Sequence, residues 1–256
     1  MRSSCERNFF VAFVARQISA QVHMPKKKLA GALNQSAVAP VTRKVVTRSP
    51  GHTVRSINLP HLQSTAIEAD SSLERDFVYL MLGFPFLKKL AHQPFQLNLD
   101  AGNYTPDFLV DFKDGSRAVV EVKPESKMEG FAEKLAQAER QLRDRGIVFV
   151  VAHDTLLRHD DLEARAKRIR RYAKGQYPTS EQELVIQSLL SSPRGQSFKS
   201  LIRLGVQKVT ILHMVSHQKL QVNSSLDIDD DAVVQLPTTL NEEGSHAIRF
   251  ANWLNA

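Results

Sequence analysis

The stretch TPDFLVDFKDGSRAVVEVK, residues 105–123, limits the possible folds more than any other part of the sequence. Two runs of alternating apolar residues flank an Asp-Gly pair, which is a strong signal for a β-hairpin. A two-residue turn would put charged side chains on both faces. A three-residue loop, Lys113 to Gly115 with Gly115 in a left-handed conformation, instead leaves one face wholly apolar. The alternation therefore predicts the three-residue loop, in which Asp107 lies opposite Glu121.

The predicted register collects charged residues at one end of the hairpin, where one face ends in Asp107, Glu121 and Lys123. Two carboxylates beside a lysine are typical of a divalent-cation site, and oxygen ligands favour Mg²⁺, for which Mn²⁺ can substitute. The backbone carbonyl of Val122 is a candidate third ligand. Such a cation lowers the pKa of bound water and polarises a phosphoryl oxygen. Lys123 could orient that water or neutralise developing charge. The apolar face comprises Phe108, Val110, Phe112, Ala118, Val120 and Val122.

The elements around the hairpin predict an α/β core. Ser71 to Glu74 has the pattern of a helix N-cap with a capping box, and apolar residues follow at helical spacing. One strand is predicted at 94–99, and a strand buried on both faces at 147–151. Between them, after the hairpin, lies a predicted helix at 129–145. Its apolar stripe is formed by Phe131, Leu135, Ala138 and Leu142.

Two polar residues near the predicted site each have two interpretations. Glu74 could add a further acid to the cation site, or serve only as the capping-box acid of its helix. Gln93 could contact the cation ligands or DNA, or be an ordinary polar residue at a strand edge. The residue pattern leaves both choices open.

Several short strings resemble one nuclease family. Pro106-Asp107 followed by Glu121-Val122-Lys123 resembles the PD-(D/E)-x-K motif of restriction-endonuclease-like nucleases. A closer resemblance is to the TnsA family, the endonuclease subunit of heteromeric transposases. It rests on LERDF at 73–77, QPF at 93–95, YTPDFLV at 104–110 and VEVKP at 120–124. The resemblance is concentrated in residues 43–152.

This resemblance implies a fold, an activity and a set of partners. The implied fold is a restriction-endonuclease-like α-β-β-β-α-β core. The implied activity is Mg²⁺-dependent hydrolysis of the 5′ ends of a transposable element during cut-and-paste transposition. Its partners would be double-stranded DNA at the transposon ends, a DDE-type transposase subunit, and an AAA+ ATPase regulator bound through the C-terminal region. The implied catalytic residues are Glu74, Asp107, Glu121 and Lys123. A bacterial, cytoplasmic protein that does not enter a membrane is expected.

Basic charge is concentrated in the N-terminal arm. Residues 1–60 contain ten Lys or Arg and one acidic residue, for a charge of +9, whereas residues 61–256 contain 24 basic and 26 acidic residues, for a charge of −2. Such an arm favours a polyanionic partner. We interpret residues 1–23 as an upstream extension or as part of a partly disordered arm. The candidate DNA contacts are Arg43, Lys44 and Arg48 in the arm, and Arg168 and Arg171 further along.

The remaining boundaries follow from composition and periodicity. The endonuclease core is predicted at 61–157, and a basic linker or helix at 158–177. Residues 178–240, with three helices and two short strands at 218–222 and 232–236, favour a winged-helix-like domain. Residues 241–256 form a tail with little periodicity. We expect the core to fold without the residues after about 175.

Further interpretations concern two histidines and the function of the protein as a whole. His213 and His217 are expected to be a packed or surface pair rather than metal ligands.

A stand-alone restriction or repair nuclease of the same fold would cut naked DNA without partners. A non-catalytic DNA-binding adaptor would bind DNA with a steep salt dependence and would ignore Mg²⁺.

Overall fold

The computed structural model describes residues 55–238 and 244–256. None of the described helices is both long and apolar enough to cross a membrane. The strands are β1 (Arg55–Ile57), β2 (Ile67–Ala69), β3 (Leu87–His92), β4 (Leu97–Leu99), β5 (Gly102–Tyr104), β6 (Phe108–Phe112), β7 (Arg117–Lys123), β8 (Val148–His153), β9 (Gln196–Ser197) and β10 (Val233–Val234). The α-helices are α1 (Ser72–Met81), α2 (Ala132–Arg143), α3 (Asp154–Leu157), α4 (Leu162–Arg171), α5 (Thr179–Leu190), α6 (Phe198–Arg203), α7 (Lys208–Ser216) and α8 (His246–Leu254).

A mixed four-stranded sheet in the order β3-β6-β7-β8 organises the fold. Strands β3, β6 and β7 are antiparallel neighbours, and β8 runs parallel to β7. In the hairpin β6–β7, Phe108 pairs with Val120 and Asp111 with Arg117. Gly115 has a φ of +83°, the left-handed conformation expected for the last residue of a three-residue loop. The mixed α/β class and the hairpin register predicted from the sequence are therefore confirmed.

The first strand of this sheet lies earlier than the sequence predicted. Residues 87–92 form it, whereas residues 97–99 pair with 102–104 in a separate two-stranded ribbon. The pairing of β3 with β6 shifts register between Leu87 and Lys89. This irregularity breaks the alternation of apolar and polar residues by which a strand is recognised in sequence.

Helices cover both faces of the sheet. The apolar face of the hairpin packs into one large core that includes Phe77 of α1 and Phe250 of α8. On the opposite side, α2 packs against β8 and buries Leu135, Ala138 and Leu142. Phe131, predicted as the first member of that stripe, is instead 38% exposed. It belongs to a 3₁₀ turn before α2, and the change of helical pitch there turns its side chain away from the stripe.

The region after the sheet contains the three helices expected there, which are α5, α6 and α7. The predicted basic segment at 158–177 contains α4, which packs against α1. The two predicted wing strands are much reduced. The segment predicted at 232–236 contributes β10, which pairs with β9 at Gln196–Ser197, and the segment predicted at 218–222 joins it only through an isolated bridge between Gln221 and Gln235. A winged-helix identity for this region therefore stays a prediction.

Residues 246–254, in the segment predicted as a tail, form helix α8. The hairpin loop caps its first turn, because Asp114 Oδ2 accepts a hydrogen bond of 2.8 Å from the His246 N–H and Ser116 Oγ one of 3.0 Å from the Ala247 N–H. The Phe250 ring lies 5.5 Å from the rings of both Phe84 and Phe112. The C-terminal helix is thus part of the core around the hairpin.

Three histidines pack together where the loop after β1 meets α7. The His217 ring centroid lies 4.3 Å from that of His61 and 4.0 Å from that of His213. His213 and His217 each hydrogen-bond to a backbone carbonyl. Burial, followed by the charges of His217, His213 and Arg170, lowers the pKa of His61 to about 4. The expected packed pair is confirmed, and His61 extends it.

Acidification is expected to destabilise the protein through His61. Its folded-state pKa lies below the unfolded value of 6.5, so the unfolded chain binds the proton more tightly. The stability due to neutral His61 is therefore complete above pH about 6.5 and is lost as the pH falls towards about 4. We expect a loss of about 1 kcal/mol, after allowing for solvent screening of a half-buried ring.

Urea unfolding at pH about 7.5 and about 5 measures this effect. The wild type should lose about 1 kcal/mol more stability between the two pH values than His61→Phe, which keeps a ring but does not titrate. His159→Phe, at an exposed histidine, should behave as the wild type does. An equal loss in His61→Phe would show that other groups account for the acid sensitivity.

Candidate active site

The hairpin register brings three predicted site residues together at one end of the sheet. Asp107 immediately precedes β6, while Glu121 and Lys123 lie at the end of β7. Asp107 Oδ2 accepts a 2.8 Å hydrogen bond from the Val122 N–H, which joins the start of one strand to the end of the other. Asp107 is therefore anchored beside Glu121 by the backbone of the neighbouring strand.

Glu121 is the most enclosed acid of the group, at 2% exposure. Its Oε2 accepts a 2.6 Å hydrogen bond from the Tyr104 hydroxyl, and its Oε1 pairs with the Lys123 ammonium. Lys123 Nζ also lies 4.7 Å from the centroid of the Phe131 ring, a cation–π contact. Both oxygens of Glu121 therefore have defined partners, and Lys123 is held between an acid and an aromatic ring.

The electrostatics of the site are those of crowded carboxylates. Burial and then the negative charge of Glu121 raise the pKa of Asp107 well above its usual value, with a smaller contribution from Glu74. Burial alone would lower the pKa of Lys123, but the charges of Glu121, Asp107 and Glu74 outweigh it and raise that pKa. Burial, followed by the charge of Glu121, raises the pKa of Tyr104 well above its usual value. Lys123 is thus kept as a cation, and Tyr104 as a hydroxyl donor.

Glu74 caps helix α1 in the manner that the sequence predicted. Its N–H donates to Ser71 Oγ at 3.1 Å, and its carboxylate accepts from Ser71 Oγ at 2.9 Å and from the Asp70 N–H at 2.8 Å. Burial raises the pKa of Glu74, and the charges of Asp70 and Glu121 add to this shift. Glu74 thus has a structural role, and its charge also acts on Asp107 and Lys123.

Gln93 connects the Glu74 end of α1 to the strand of Asp107. Its backbone N–H donates to the Asp107 carbonyl at 2.8 Å, and its side-chain Nε2 donates to Asp70 Oδ2 at 3.3 Å. Its φ of +38° is uncommon for a residue other than glycine. The buried Oε1 of Gln93 has no hydrogen-bond partner among the described residues. The geometry places Gln93 beside the candidate ligands rather than among them.

The donor set suits a cation that keeps much of its own water. Within residues 55–238 and 244–256, no group of three or more His, Cys, Asp or Glu side chains is arranged to hold a metal ion. Asp107 and Glu121 supply two carboxylates, and the Val122 carbonyl is the candidate third protein ligand. Mg²⁺ is commonly bound by one or two carboxylates, with water and phosphate completing its shell. The two crowded acids therefore fit Mg²⁺ better than a cation that needs a full protein cage.

The candidate DNA contacts fall in two places. Arg168 and Arg171 are exposed on α4, where cationic side chains can reach phosphates. Arg43, Lys44 and Arg48, with nearly all of the predicted arm at 1–60, lie outside the described residues.

Two residues that contact the site, Tyr104 and Phe131, and one buried acid of α1, Asp76, were given no such role from the sequence. Tyr104 lies within a family-like string, three positions before Asp107, which was the available signal. Phe131 was assigned to the core of α2. Asp76, at 2% exposure, accepts hydrogen bonds from Arg158 at 2.7 Å and from Arg75 at 2.6 Å, and so ties α1 to the segment before α4. The pairing of Asp76 with Arg158, 82 positions away, has no local pattern by which it could be recognised.

Comparison with known families singles out the segment that builds this sheet. Residues 84–154 match the TnsA-like endonuclease N-terminal domain. The match confirms the TnsA resemblance seen in the sequence. This TnsA-like segment, residues 84–154, contains all four strands of the central sheet together with Asp107, Glu121 and Lys123, and it begins after Glu74. No curated protein matches the chain.

Proposed function

We propose that this protein is the Mg²⁺-dependent endonuclease subunit of a heteromeric transposase, which hydrolyses phosphodiester bonds at the 5′ ends of a transposable element. The observation that carries the proposal is the pairing of two crowded carboxylates with Lys123 at the end of the hairpin, inside the TnsA-like segment. A metal-dependent nuclease needs a concentration of negative charge that binds the cation. It also needs a nearby positive charge that interacts with the phosphate of the substrate.

Each residue of the proposed site has a distinct task. Asp107, Glu121 and the Val122 carbonyl would hold Mg²⁺, which supplies Lewis-acid polarisation of the phosphoryl oxygen and a more acidic water. Lys123 stays protonated, because neighbouring carboxylates raise its pKa, and so can stabilise negative charge on the phosphate or orient the attacking water. Glu74, positioned by its capping contacts, adds a negative charge that would increase the electrostatic attraction of cations to the site.

The proposed partners follow from the same assignment. The DNA substrate is double-stranded and would be contacted through phosphates by Arg168 and Arg171, together with Arg43, Lys44 and Arg48 of the arm. A DDE-type transposase subunit would process the 3′ ends. An AAA+ ATPase regulator would bind the C-terminal region, and the complex would act in the bacterial cytoplasm.

A reconstituted reaction tests this function. The full chain is combined with a DDE-type transposase and strand-labelled DNA that contains an element end. We expect cleavage of the 5′ strand only when both proteins and Mg²⁺ are present. Chelation should reduce 5′ cleavage to background, and added Mg²⁺ or Mn²⁺ should restore it.

Two other results would replace the proposal. Cleavage of naked duplex DNA by this protein alone, at the same rate with or without the transposase, would identify a stand-alone nuclease. DNA binding with a steep salt dependence, but no cleavage in any combination and no effect of Mg²⁺, would identify a DNA-binding adaptor.

A further inference from the structure

Tyr104 is the one aromatic hydroxyl that contacts a carboxylate of the candidate site among the described residues. It ends strand β5 and is 6% exposed. Its hydroxyl donates a 2.6 Å hydrogen bond to Oε2 of Glu121, seventeen positions away. The β4–β5 ribbon therefore places a hydrogen-bond donor against Glu121, near the end of the interior strand β7 of the central sheet.

The two donors to Glu121, Lys123 and Tyr104, differ in how far their side chains can move. Lys123 has a long aliphatic side chain with 20% of its surface exposed, so it can exchange partners when phosphate or a cation arrives. Tyr104 has a rigid ring, and its burial leaves the hydroxyl little room to move. Of the two contacts, that of Tyr104 is the better suited to persist while the site is loaded.

A carboxylate that binds a cation needs a fixed orientation as well as charge. Hydrogen-bonding partners of ligand carboxylates provide it, and their removal typically weakens metal affinity or activity by about 10–100-fold. With Oε2 of Glu121 held by Tyr104, Oε1 stays on the side of Lys123. The strand alone does not supply this restraint, because a strand backbone still allows more than one staggered rotamer of the Glu121 side chain.

We propose that Tyr104 is a positioning residue of the nuclease site, which orients Glu121 towards the divalent cation through its hydroxyl. The inference rests on the nuclease function proposed above. It predicts that loss of the hydroxyl weakens cation binding without removing a ligand, so that a higher cation concentration compensates for the loss.

Calorimetric titration of the full chain with Mn²⁺ tests this role on Tyr104→Phe. We expect a Kd raised by about tenfold or more, with unchanged stoichiometry. In the cleavage assay, the variant should approach the wild-type rate when Mn²⁺ is raised in proportion. Tyr79→Phe is the matched control, because Tyr79 lies on α1 and its ring contacts Arg170 rather than the site. It should bind Mn²⁺ as the wild type does.

The outcomes separate this inference from the proposed function. A wild-type Kd in Tyr104→Phe, with binding lost in Asp107→Ala, would reject the role of Tyr104 and keep the nuclease site. A lower stoichiometry with an unchanged Kd, or loss of cooperative thermal unfolding, would show that the hydroxyl serves only the fold. A wild-type protein that binds no Mn²⁺, alone or with duplex DNA, would reject both.

Discussion

Asp107→Ala is expected to lower 5′-strand cleavage by about a thousandfold or more while the protein stays folded. If Asp107 holds the cation as proposed, its removal loses several kcal/mol of transition-state stabilisation, and each 1.4 kcal/mol corresponds to about a factor of ten in rate. The fold should tolerate the change. Burial and repulsion by Glu121 raise the pKa of Asp107, which means that the charged form of this side chain destabilises the folded protein. Strand-specific cleavage in the reconstituted reaction and thermal unfolding measure the two effects.

Two variants sharpen this test. Asp107→Asn keeps an oxygen that can accept the Val122 N–H but removes the charge, so it should lose cleavage almost as severely as Asp107→Ala. Asp111→Asn, at the other end of β6 opposite Arg117, should cleave at the wild-type rate. A folded Asp107→Ala protein that cut normally would show that the assignment of the site is wrong.

Phe250→Ala is expected to destabilise the whole protein by about 3–5 kcal/mol. Phe250 is fully buried, and its ring meets Phe84 after α1 and Phe112 of the hairpin. Removal of the ring leaves a cavity beside the apolar face of β6. Urea unfolding should show this loss in a single transition, with a fall in Tm of about 10 °C. Phe131→Ala, at a 38% exposed phenylalanine, is the control and should change stability by less than about 1 kcal/mol.

Helix α8 bears on whether the nuclease core can fold without the C-terminal region. The sequence suggested that residues after about 175 could be removed without unfolding the sheet. The packing of α8 argues for the opposite, because truncation would remove Phe250 and the neighbouring Trp253 from the core. A loss below about 1 kcal/mol in Phe250→Ala would support the earlier expectation.

The hairpin shows how far local patterns reach. Alternation with a period of two residues and one Asp-Gly turn specified the register of β6 and β7, and that register brought Asp107 next to Glu121. The capping box at Ser71 and Glu74 was likewise local, since all its hydrogen bonds lie within five residues. Such features are encoded by neighbouring residues and need no knowledge of the rest of the chain.

Other features were beyond the reach of the sequence. Strand β3 was missed because its bulge breaks the alternation, and helix α8 because its N-terminal caps come from Asp114 and Ser116, more than 130 positions away. Phe131 was placed in the core because one helix was assumed where a 3₁₀ turn precedes α2.

The amino-acid sequence by itself determined the α/β class, the hairpin register and the placement of Asp107, Glu121 and Lys123 at one end of one face. The tertiary structure alone decided which groups surround those three side chains. The Tyr104 hydroxyl donates to Glu121, the Phe131 ring contacts the Lys123 ammonium, and the Gln93 N–H donates to the Asp107 carbonyl. The physical reason is one of range. Register and capping follow from backbone geometry over a few residues, whereas burial, side-chain contacts and pKa shifts depend on segments that only the folded chain brings together.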